Sequence, residues 1–253
     1  GTAVSNAGNQ EIERLVSERC SSRKPLAYLT GSAFFAGLEF QVNNHVLVPR
    51  SPIAELILDG YRPWVKPEAV THMLDMCTGS GCIAIASAYA LENAQVLAAD
   101  ICEKVLQVTR ANIKLHRLED RVSALQSDLF SAVPATEFDL IVANPPYVSA
   151  REMDALPDEY RCEPGLGLAS GADGLAATLQ ILLDAPRFLG KDGVLICEVG
   201  ASDERLAQRL PGVPFLWLEF ERGGSGVFLL TRQQLEEAGP QVAAITEQKD
   251  YVA

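Results

Sequence analysis

From residue 72 to residue 210, short apolar runs alternate with segments of helical periodicity. The apolar runs predict strands at 72–76, 95–99, 121–126, 138–143 and 193–199. The segments between and after them predict helices at 81–91, 103–116, 175–189 and 202–210. Strands and helices that alternate in this order form a parallel sheet with helices on both of its faces. The sequence therefore predicts an α/β fold.

Two further apolar runs follow, at 214–220 and 226–231. The Gly-rich link between them, Arg222-Gly223-Gly224-Ser225-Gly226, is too short for a parallel crossover, so this pair is predicted to be antiparallel. The complete expectation is a Rossmann-like sheet of seven mostly parallel strands that ends in a C-terminal antiparallel hairpin.

The sequence before the sheet is expected to form a separate N-terminal segment. We place this segment at residues 1–62 and the catalytic domain at 63–253, with a Pro-rich link around Pro63 and Pro67 between them. The polar start, residues 1–10, is expected to be a flexible lead.

Within the N-terminal segment, the pattern predicts a helix at 11–22 and a β-hairpin between Ser32 and Val48. The hairpin turn is expected at Asn43-Asn44, because alternating apolar residues flank these two positions. Ser51-Pro52 predicts the start of a second helix, which would end near Tyr61.

The charge of the chain bears on its partners. It has 21 Lys and Arg residues against 33 Asp and Glu residues, a formal net charge of −12. An acidic chain is a poor match for nucleic acid, which normally requires a basic face. The acidity favours a basic partner, or it serves only to keep the protein in solution.

Membrane and metal partners are also not expected. We find no apolar run near the roughly 18 residues that span a bilayer. The six cysteines form no C-x-x-C pair and the three histidines are scattered, which argues against a metal site. We expect reduced, mostly buried thiols and a cytoplasmic protein.

Four residues, Asn144-Pro145-Pro146-Tyr147, directly follow the strand predicted at 138–143. The prolines end the strand, because proline has no backbone N–H and fixes its own φ angle. An Asn beside this stiff backbone presents acceptors in fixed positions at a strand's carboxyl end, where open α/β sheets bind ligands. Two acceptors suit an –NH2 group, which has two donors. We expect a site for a planar amino or amide nitrogen.

Other candidate binding residues follow the first three strands of the predicted sheet. The run Asp75-Met76-Cys77-Thr78-Gly79-Ser80-Gly81 ends in small residues, which allow the backbone to approach a ligand closely. Asp100 ends the second strand and could accept from ribose hydroxyls or cap the next helix. Asp128 follows the third strand and fits an adenine amino group or a turn. The ends of these strands and of the fourth are expected to line one crevice.

The chain resembles the class I S-adenosylmethionine-dependent methyltransferases, and Asn144-Pro145-Pro146-Tyr147 is similar to the motif of members that methylate exocyclic amino or amide nitrogens. Within that class it resembles the protein-glutamine N5-methyltransferases over roughly residues 11–235, most of all the branch that acts on a large-subunit ribosomal protein, L-three. The residues that carry this resemblance are 48–57, 75–82, 127–130, 144–148, 156–164, 166–174 and 214–220.

The resemblance implies a cofactor, S-adenosyl-L-methionine, and a set of site residues. Asn144 and the Pro145 carbonyl would hold the substrate nitrogen, with Tyr147 on the amide plane and Pro146 between them. The implied cofactor-binding residues are Asp75, Cys77, Thr78, Gly79, Ser80, Gly81, Asp100, Ile101, Asp128, Leu129 and Asn144. No metal is implied.

The chain departs from the pattern of these families in three places. Relatives that act on release factors have Pro-Arg-Pro-Glu at 49–52, where this chain has Arg50-Ser51-Pro52. Many methyltransferases have Gly in place of Cys77. Family members typically begin with a helical bundle, of which only the final helix, 11–22, is expected here.

Other functions fit parts of the same pattern. The alternatives are methylation of release factors, adenine-N6 methylation of nucleic acid, a non-catalytic ribosome-assembly factor and a hydride-transferring enzyme. The last is disfavoured because Gly79-Ser80-Gly81 lacks the fuller G-x-G-x-x-G spacing. The stretch 148–174 has no clear predicted element, and we expect it to be a lid that contacts substrate.

Overall fold

The structure is a computed structural model that describes residues 5–149, 152–153, 162–168, 170–171 and 173–249. Its strands are β1 (Ser32–Phe35), β2 (Leu38–Gln41), β3 (His72–Met76), β4 (Gln95–Asp100), β5 (Val122–Gln126), β6 (Phe138–Ala143), β7 (Leu189–Glu198), β8 (Leu216–Trp217) and β9 (Val227–Thr231). The described helices are α1 (Asn6–Ser22), α2 (Leu26–Thr30), α3 (Ile53–Leu58), α4 (Cys82–Ala90), α5 (Glu103–Leu115), α6 (Ala176–Asp184), α7 (Asp203–Arg209) and α8 (Arg232–Lys249).

Strands β3 to β9 form one seven-stranded sheet in the order β5-β4-β3-β6-β7-β9-β8. Strands β5, β4, β3, β6 and β7 are parallel, whereas β9 is antiparallel to β7 and β8 is antiparallel to β9. The predicted α/β fold is confirmed, with a mostly parallel sheet and a C-terminal antiparallel hairpin. The first hairpin strand is shorter than predicted, since only Leu216 and Trp217 pair with β9.

The sheet separates two apolar cores, because side chains alternate between its two faces. In β6, Leu140 and Val142 belong to one core, and Ile141 and Ala143 to the other. The first core is completed by α3 and α4, and the second by α6 and α8. Both faces of the central strands are therefore covered, which explains why their sequences read as continuous apolar runs.

The small N-terminal hairpin has a different turn from the predicted one. Strands β1 and β2 pair antiparallel across Ala36-Gly37, and not across Asn43-Asn44. Both turn residues have positive φ, 48° and 80°, the backbone twist that two-residue hairpin turns require. The prediction at Asn43-Asn44 was wrong because Ala36 takes a conformation that is rare for non-glycine residues.

Helix α3 is shorter than the predicted helix from Ser51-Pro52 to Tyr61. It starts at Ile53, whose N–H donates to the Ser51 hydroxyl, and it ends at Leu58. Gly60 and Tyr61 both have positive φ, which stops the helix. Tyr61 is fully buried and lies in the core with Ile53 and sheet residues, so the N-terminal segment and the sheet share one core.

Helix α8 was not among the predicted elements. It packs against α6 and β7 and contributes Leu235, Ala238 and Val242 to the second core.

No described helix is long and apolar enough to cross a lipid bilayer. The six cysteines are free thiols, but only Cys82 and Cys197 are buried and Cys20 is exposed, so the expectation of mostly buried thiols was wrong.

A single buried amide connects the hairpin, the sheet and α5. The Asn112 side chain in α5 donates to the carbonyls of Gln41 and Ser80 at 2.9 Å each and accepts from the Gln41 N–H at 2.8 Å. Asn112 is fully buried, so water cannot replace these bonds. Asn112 therefore holds β2 next to the loop that follows β3.

We predict that Asn112→Ala destabilises the protein by roughly 1–3 kcal/mol, because it leaves buried backbone groups without partners. Urea unfolding of the variant and the wild-type protein measures this difference. Asn93→Ala is the matched control, since Asn93 is exposed and makes one hydrogen bond to the Glu68 carbonyl. Equal unfolding midpoints for the two variants would contradict the assigned role.

Candidate active site

A cavity of about 1230 Å3 opens at the carboxyl ends of the parallel strands. Residues that follow or end β3, β4, β5, β6 and β7 all line it. The segment before α3 lines another side through Val48, Pro49, Arg50 and Ser51. In parallel strands all carboxyl ends lie at the same edge of the sheet, so residues distant in sequence meet there.

The loop after β3 contributes Cys77, Thr78, Gly79 and Ser80 to the cavity. Cys77 and Gly79 both have positive φ, 61° and 57°, so the backbone turns sharply at this point. A Cβ atom at Gly79 would meet no atom within 4 Å, which shows that open space lies over the backbone of this residue. The loop can therefore receive a ligand close to its main chain.

Gly81 and Asp75, predicted to bind the cofactor, are not among the residues that line the cavity. A Cβ atom at Gly81 would lie 2.9 Å from Thr109 Cγ2, so this glycine allows α5 to pack against the loop. The Asp75 side chain is fully buried, and its Oδ2 accepts from the Thr78 hydroxyl at 2.5 Å and the Ala84 N–H at 3.0 Å. Burial raises the pKa of Asp75 to about 7. These contacts support the loop from the side that does not line the cavity.

Asp100 ends β4 and lines the cavity next to Gly79. Its Oδ2 accepts from the Gly79 N–H at 3.2 Å, and its Oδ1 accepts from the Cys102 N–H at 3.0 Å. Each carboxylate oxygen has two lone pairs, so both oxygens keep acceptor capacity for a ligand. Burial raises the pKa of Asp100. Ile101 follows Asp100 and also lines the cavity.

Asp128 and Leu129 lie in the turn after β5, and both line the cavity. The turn is fixed by Ser127, whose hydroxyl donates to the Leu129 carbonyl at 2.5 Å and accepts from the Ala132 N–H at 3.0 Å. Leu129 has a φ of 44°, so the turn depends on this side-chain bridge. Asp128 is exposed, which leaves its carboxylate open to a ligand.

After β6, Asn144, Pro146 and Tyr147 line the cavity, whereas Pro145 is buried and is not among the lining residues. The Tyr147 carbonyl accepts from the Ser202 hydroxyl at 2.9 Å. The Tyr147 ring packs against Gly200, where a Cβ atom would lie 2.6 Å from Cε2 of the ring. The ring position therefore requires glycine at 200.

The cavity also contains a carboxyl group that the sequence reasoning missed, Glu198. It is the last residue of β7 and is 6% exposed. Its Oε2 accepts from the Ser51 hydroxyl at 2.5 Å, and its Oε1 accepts from the Tyr147 hydroxyl at 3.4 Å. Burial raises the pKa of Glu198. An acidic residue that ends an apolar strand is the signal that could have identified it.

A salt bridge joins the segment before α3 to the stretch after Tyr147. Arg50 donates to both Glu163 oxygens, at 2.8 and 3.1 Å, and the Val48 N–H donates to the same carboxylate at 3.2 Å. The Glu163 side chain is 2% exposed. This bidentate pair fixes the cavity side formed by 48–51.

The expected lid at 148–174 is described only in part. The Val148 N–H donates to the Leu168 carbonyl and the Val148 carbonyl accepts from the Ser170 N–H, so these residues lie side by side in the cavity wall. Residues 150–151, 154–161, 169 and 172 lie outside the described residues. Among the residues that are described, no group of three or more His, Cys, Asp or Glu side chains could hold a metal ion.

Comparison with known proteins agrees with this geometry. Residues 64–157 match the family model described as "Methyltransferase small domain". The fold is similar to a crystal structure of a methyltransferase from Pyrococcus furiosus, with a TM-score of 0.57 and 17% identity over 88% of this chain and 98% of that one. At this identity the likeness concerns the fold alone.

Two curated relatives carry the name "Ribosomal protein uL3 glutamine methyltransferase". The relative from Francisella tularensis is 48% identical over 87% of this chain and 70% of its own length. The relative from Xanthomonas campestris is 49% identical over 90% of this chain and 74% of its own length. The chain belongs to the family of the ribosomal protein uL3 glutamine methyltransferases, and it is an enzyme that uses S-adenosyl-L-methionine as methyl donor.

Proposed function

We propose that this chain transfers a methyl group from S-adenosyl-L-methionine to the side-chain amide nitrogen, N5, of a glutamine in ribosomal protein uL3. The observation that carries this proposal is the single cavity that contains both the loop after β3 and Asn144, Pro146 and Tyr147. The first can bind a donor close to the backbone, and the second offers acceptors to an amide –NH2 group. Relatives with the name of this activity support the substrate class.

The residues present fit the cofactor. The open space over Gly79 accommodates a ligand against the main chain, and we assign the methionine part to Cys77, Thr78, Gly79 and Ser80. When bound, the cofactor supplies a methyl group already activated by a positively charged sulfur. No metal is therefore needed to activate the methyl group.

We assign the nucleoside part of the cofactor to the ends of β4 and β5. The free acceptor capacity of Asp100 suits the two ribose hydroxyls. Ile101 and Leu129 provide apolar contacts to the adenine, and Asp128 provides a carboxylate for its amino group. Asp75 and Gly81 support these residues from outside the cavity.

An amide nitrogen is a poor nucleophile, because its lone pair is delocalised into the carbonyl group. We propose that the Asn144 side-chain oxygen accepts a hydrogen bond from the amide and directs the lone pair towards the methyl carbon. Pro145 and Pro146 restrict the backbone beside Asn144, and the Tyr147 ring supports the amide plane. Alignment of this kind can contribute about 7–11 kcal/mol in favourable intramolecular cases.

The charge of the chain fits a basic protein substrate better than nucleic acid. A net charge of −12 attracts a basic ribosomal protein and repels a phosphate backbone. We therefore disfavour adenine methylation.

A ribosomal protein substrate also locates the enzyme in the cytoplasm, where ribosomes assemble. We propose that residues 1–62 contribute to substrate recognition, because Val48 to Ser51 line the cavity.

We predict that Asn144→Ala lowers the rate of methyl transfer to uL3 by about 100-fold or more, because the substrate amide loses the acceptor that orients it. Affinity for S-adenosyl-L-methionine should stay within a few-fold, because we assign the main cofactor contacts to the loop after β3 and to Asp100, and Asn144 to the substrate nitrogen. Single-turnover transfer of labelled methyl to purified uL3 measures the first quantity, and calorimetry measures the second. Asn93→Ala is the control, and wild-type turnover in Asn144→Ala would remove Asn144 from the mechanism.

We predict that Asp100→Ala weakens the binding of S-adenosyl-L-methionine by about 10- to 100-fold, the usual effect of losing hydrogen bonds to a charged group. Isothermal titration calorimetry without uL3 tests this directly. Asp120→Ala, which removes an exposed carboxylate in the turn before β5, should bind like the wild-type protein. Equal affinity of all three proteins would reject the ribose assignment.

A further inference from the structure

Glu198 lies beside Asn144 at the edge of the sheet. Strands β6 and β7 are parallel, and Ala143 pairs with Cys197 at their carboxyl ends. The next residues along the two chains are Asn144 and Glu198. Neighbouring strands are about 4.8 Å apart, and paired residues direct their side chains to the same face of the sheet. Both residues line the cavity, so a carboxyl group and the Asn144 amide face one ligand together.

The hydrogen bonds of Glu198 favour its ionised form. Both bonded partners, the hydroxyls of Ser51 and Tyr147, act as donors to the carboxyl oxygens. An ionised carboxylate has acceptor sites only, with about four lone pairs, so two positions stay available after these bonds. Glu198 can therefore accept a further hydrogen from a ligand next to Asn144.

The methylation of an amide also requires that a proton leaves the nitrogen. The side-chain amide carries two hydrogens before the reaction and one after it. A base that takes this proton makes the nitrogen lone pair available as the new bond forms. The side chain that acts as the base must lie within hydrogen-bond distance of the amide nitrogen. Both strands beside β6 carry a carboxyl group: Asp75 on β3 does not line the cavity, whereas Glu198 on β7 does.

On the basis of the function proposed above, we propose that Glu198 is a catalytic residue that accepts one N–H hydrogen of the substrate amide and takes up the released proton. The amide nitrogen forms a bond to the methyl carbon, and the carbon–sulfur bond breaks with its electron pair on sulfur. The proton moves from nitrogen to the Glu198 carboxylate, which becomes a neutral carboxylic acid. It later returns the proton to solvent.

The surroundings of Glu198 determine how the reaction depends on pH. The titratable and charged groups that act on it are Arg50 from the segment before α3 and Tyr147 from the stretch after β6, and Cys197 precedes it on its own strand. Burial raises the Glu198 pKa, whereas Ser51, Tyr147 and Arg50 act to lower it. Burial raises the pKa of the Cys197 thiol, which keeps it neutral. The rate should therefore rise with pH as Glu198 ionises.

The first test is Glu198→Gln, which keeps the shape of the side chain and removes its basicity. With purified uL3 we expect kcat to fall by about 100-fold or more, while KM for uL3 stays within a few-fold. We also expect the acidic limb in the pH dependence of kcat to disappear. The exposed Glu92→Gln is the matched control for loss of one carboxylate. Thermal unfolding of each variant reports whether it is folded.

The second test is Ser51→Ala, which leaves the carboxyl group in place and removes one donor to it. Loss of this hydrogen bond disfavours the carboxylate, so the acidic limb should move to higher pH. A readout independent of activity is the infrared carboxyl band of Glu198 in the protein without ligands, identified as the difference from Glu198→Gln. Its titration should move in the same direction.

The outcomes separate this inference from the proposed function. If wild-type protein does not methylate uL3, both fail. If wild-type protein methylates uL3 but Glu198→Gln has an unchanged acidic limb and loses only a few-fold in kcat, Glu198 merely positions Tyr147 and Ser51, and the inference alone is overturned. An acidic limb that Ser51→Ala does not move would overturn it as well.

Discussion

The parallel register of the central strands is the constraint on which the candidate site depends. Met76 pairs with Ala143, and Ala143 pairs with Cys197, so the ends of β3, β6 and β7 are aligned across the sheet. The loop after β3, Asn144 and Glu198 follow directly from these three positions. Hydrogen bonds between strands are periodic and rigid, so they fix the relative positions of groups that are far apart in sequence.

A set of buried polar residues outside the cavity keeps these strand ends in place. Asp75 holds the loop after β3 through Thr78 and the Ala84 N–H, and Asn112 holds the N-terminal hairpin next to the same loop. Buried polar groups are costly unless they are paired, so these residues allow few alternative arrangements. Asp75 and Asn112 therefore fix the geometry of the cavity although neither residue lines it.

The N-terminal segment forms part of the wall of the cavity at the carboxyl ends of the strands. Ser51 donates to Glu198 and Arg50 to Glu163, which joins the segment before α3 to β7 and to the stretch after Tyr147. The Glu163 side chain is almost fully buried and Arg50 holds both of its oxygens, so the bidentate geometry favours one fixed arrangement. The segment therefore belongs to the site as much as the loops of the sheet do.

The sequence by itself determined the α/β fold, the antiparallel end of the sheet and the strand ends where Cys77, Asp100, Asp128 and Asn144 lie. These properties follow from local patterns, since apolar periodicity and Pro or Gly positions act over a few residues. Only the tertiary structure decided the hairpin turn at Ala36-Gly37, the placement of Asp75 and Gly81 outside the cavity and the meeting of Glu198 with Ser51 and Tyr147. Those outcomes depend on strand register and on packing between distant segments, which no local pattern contains.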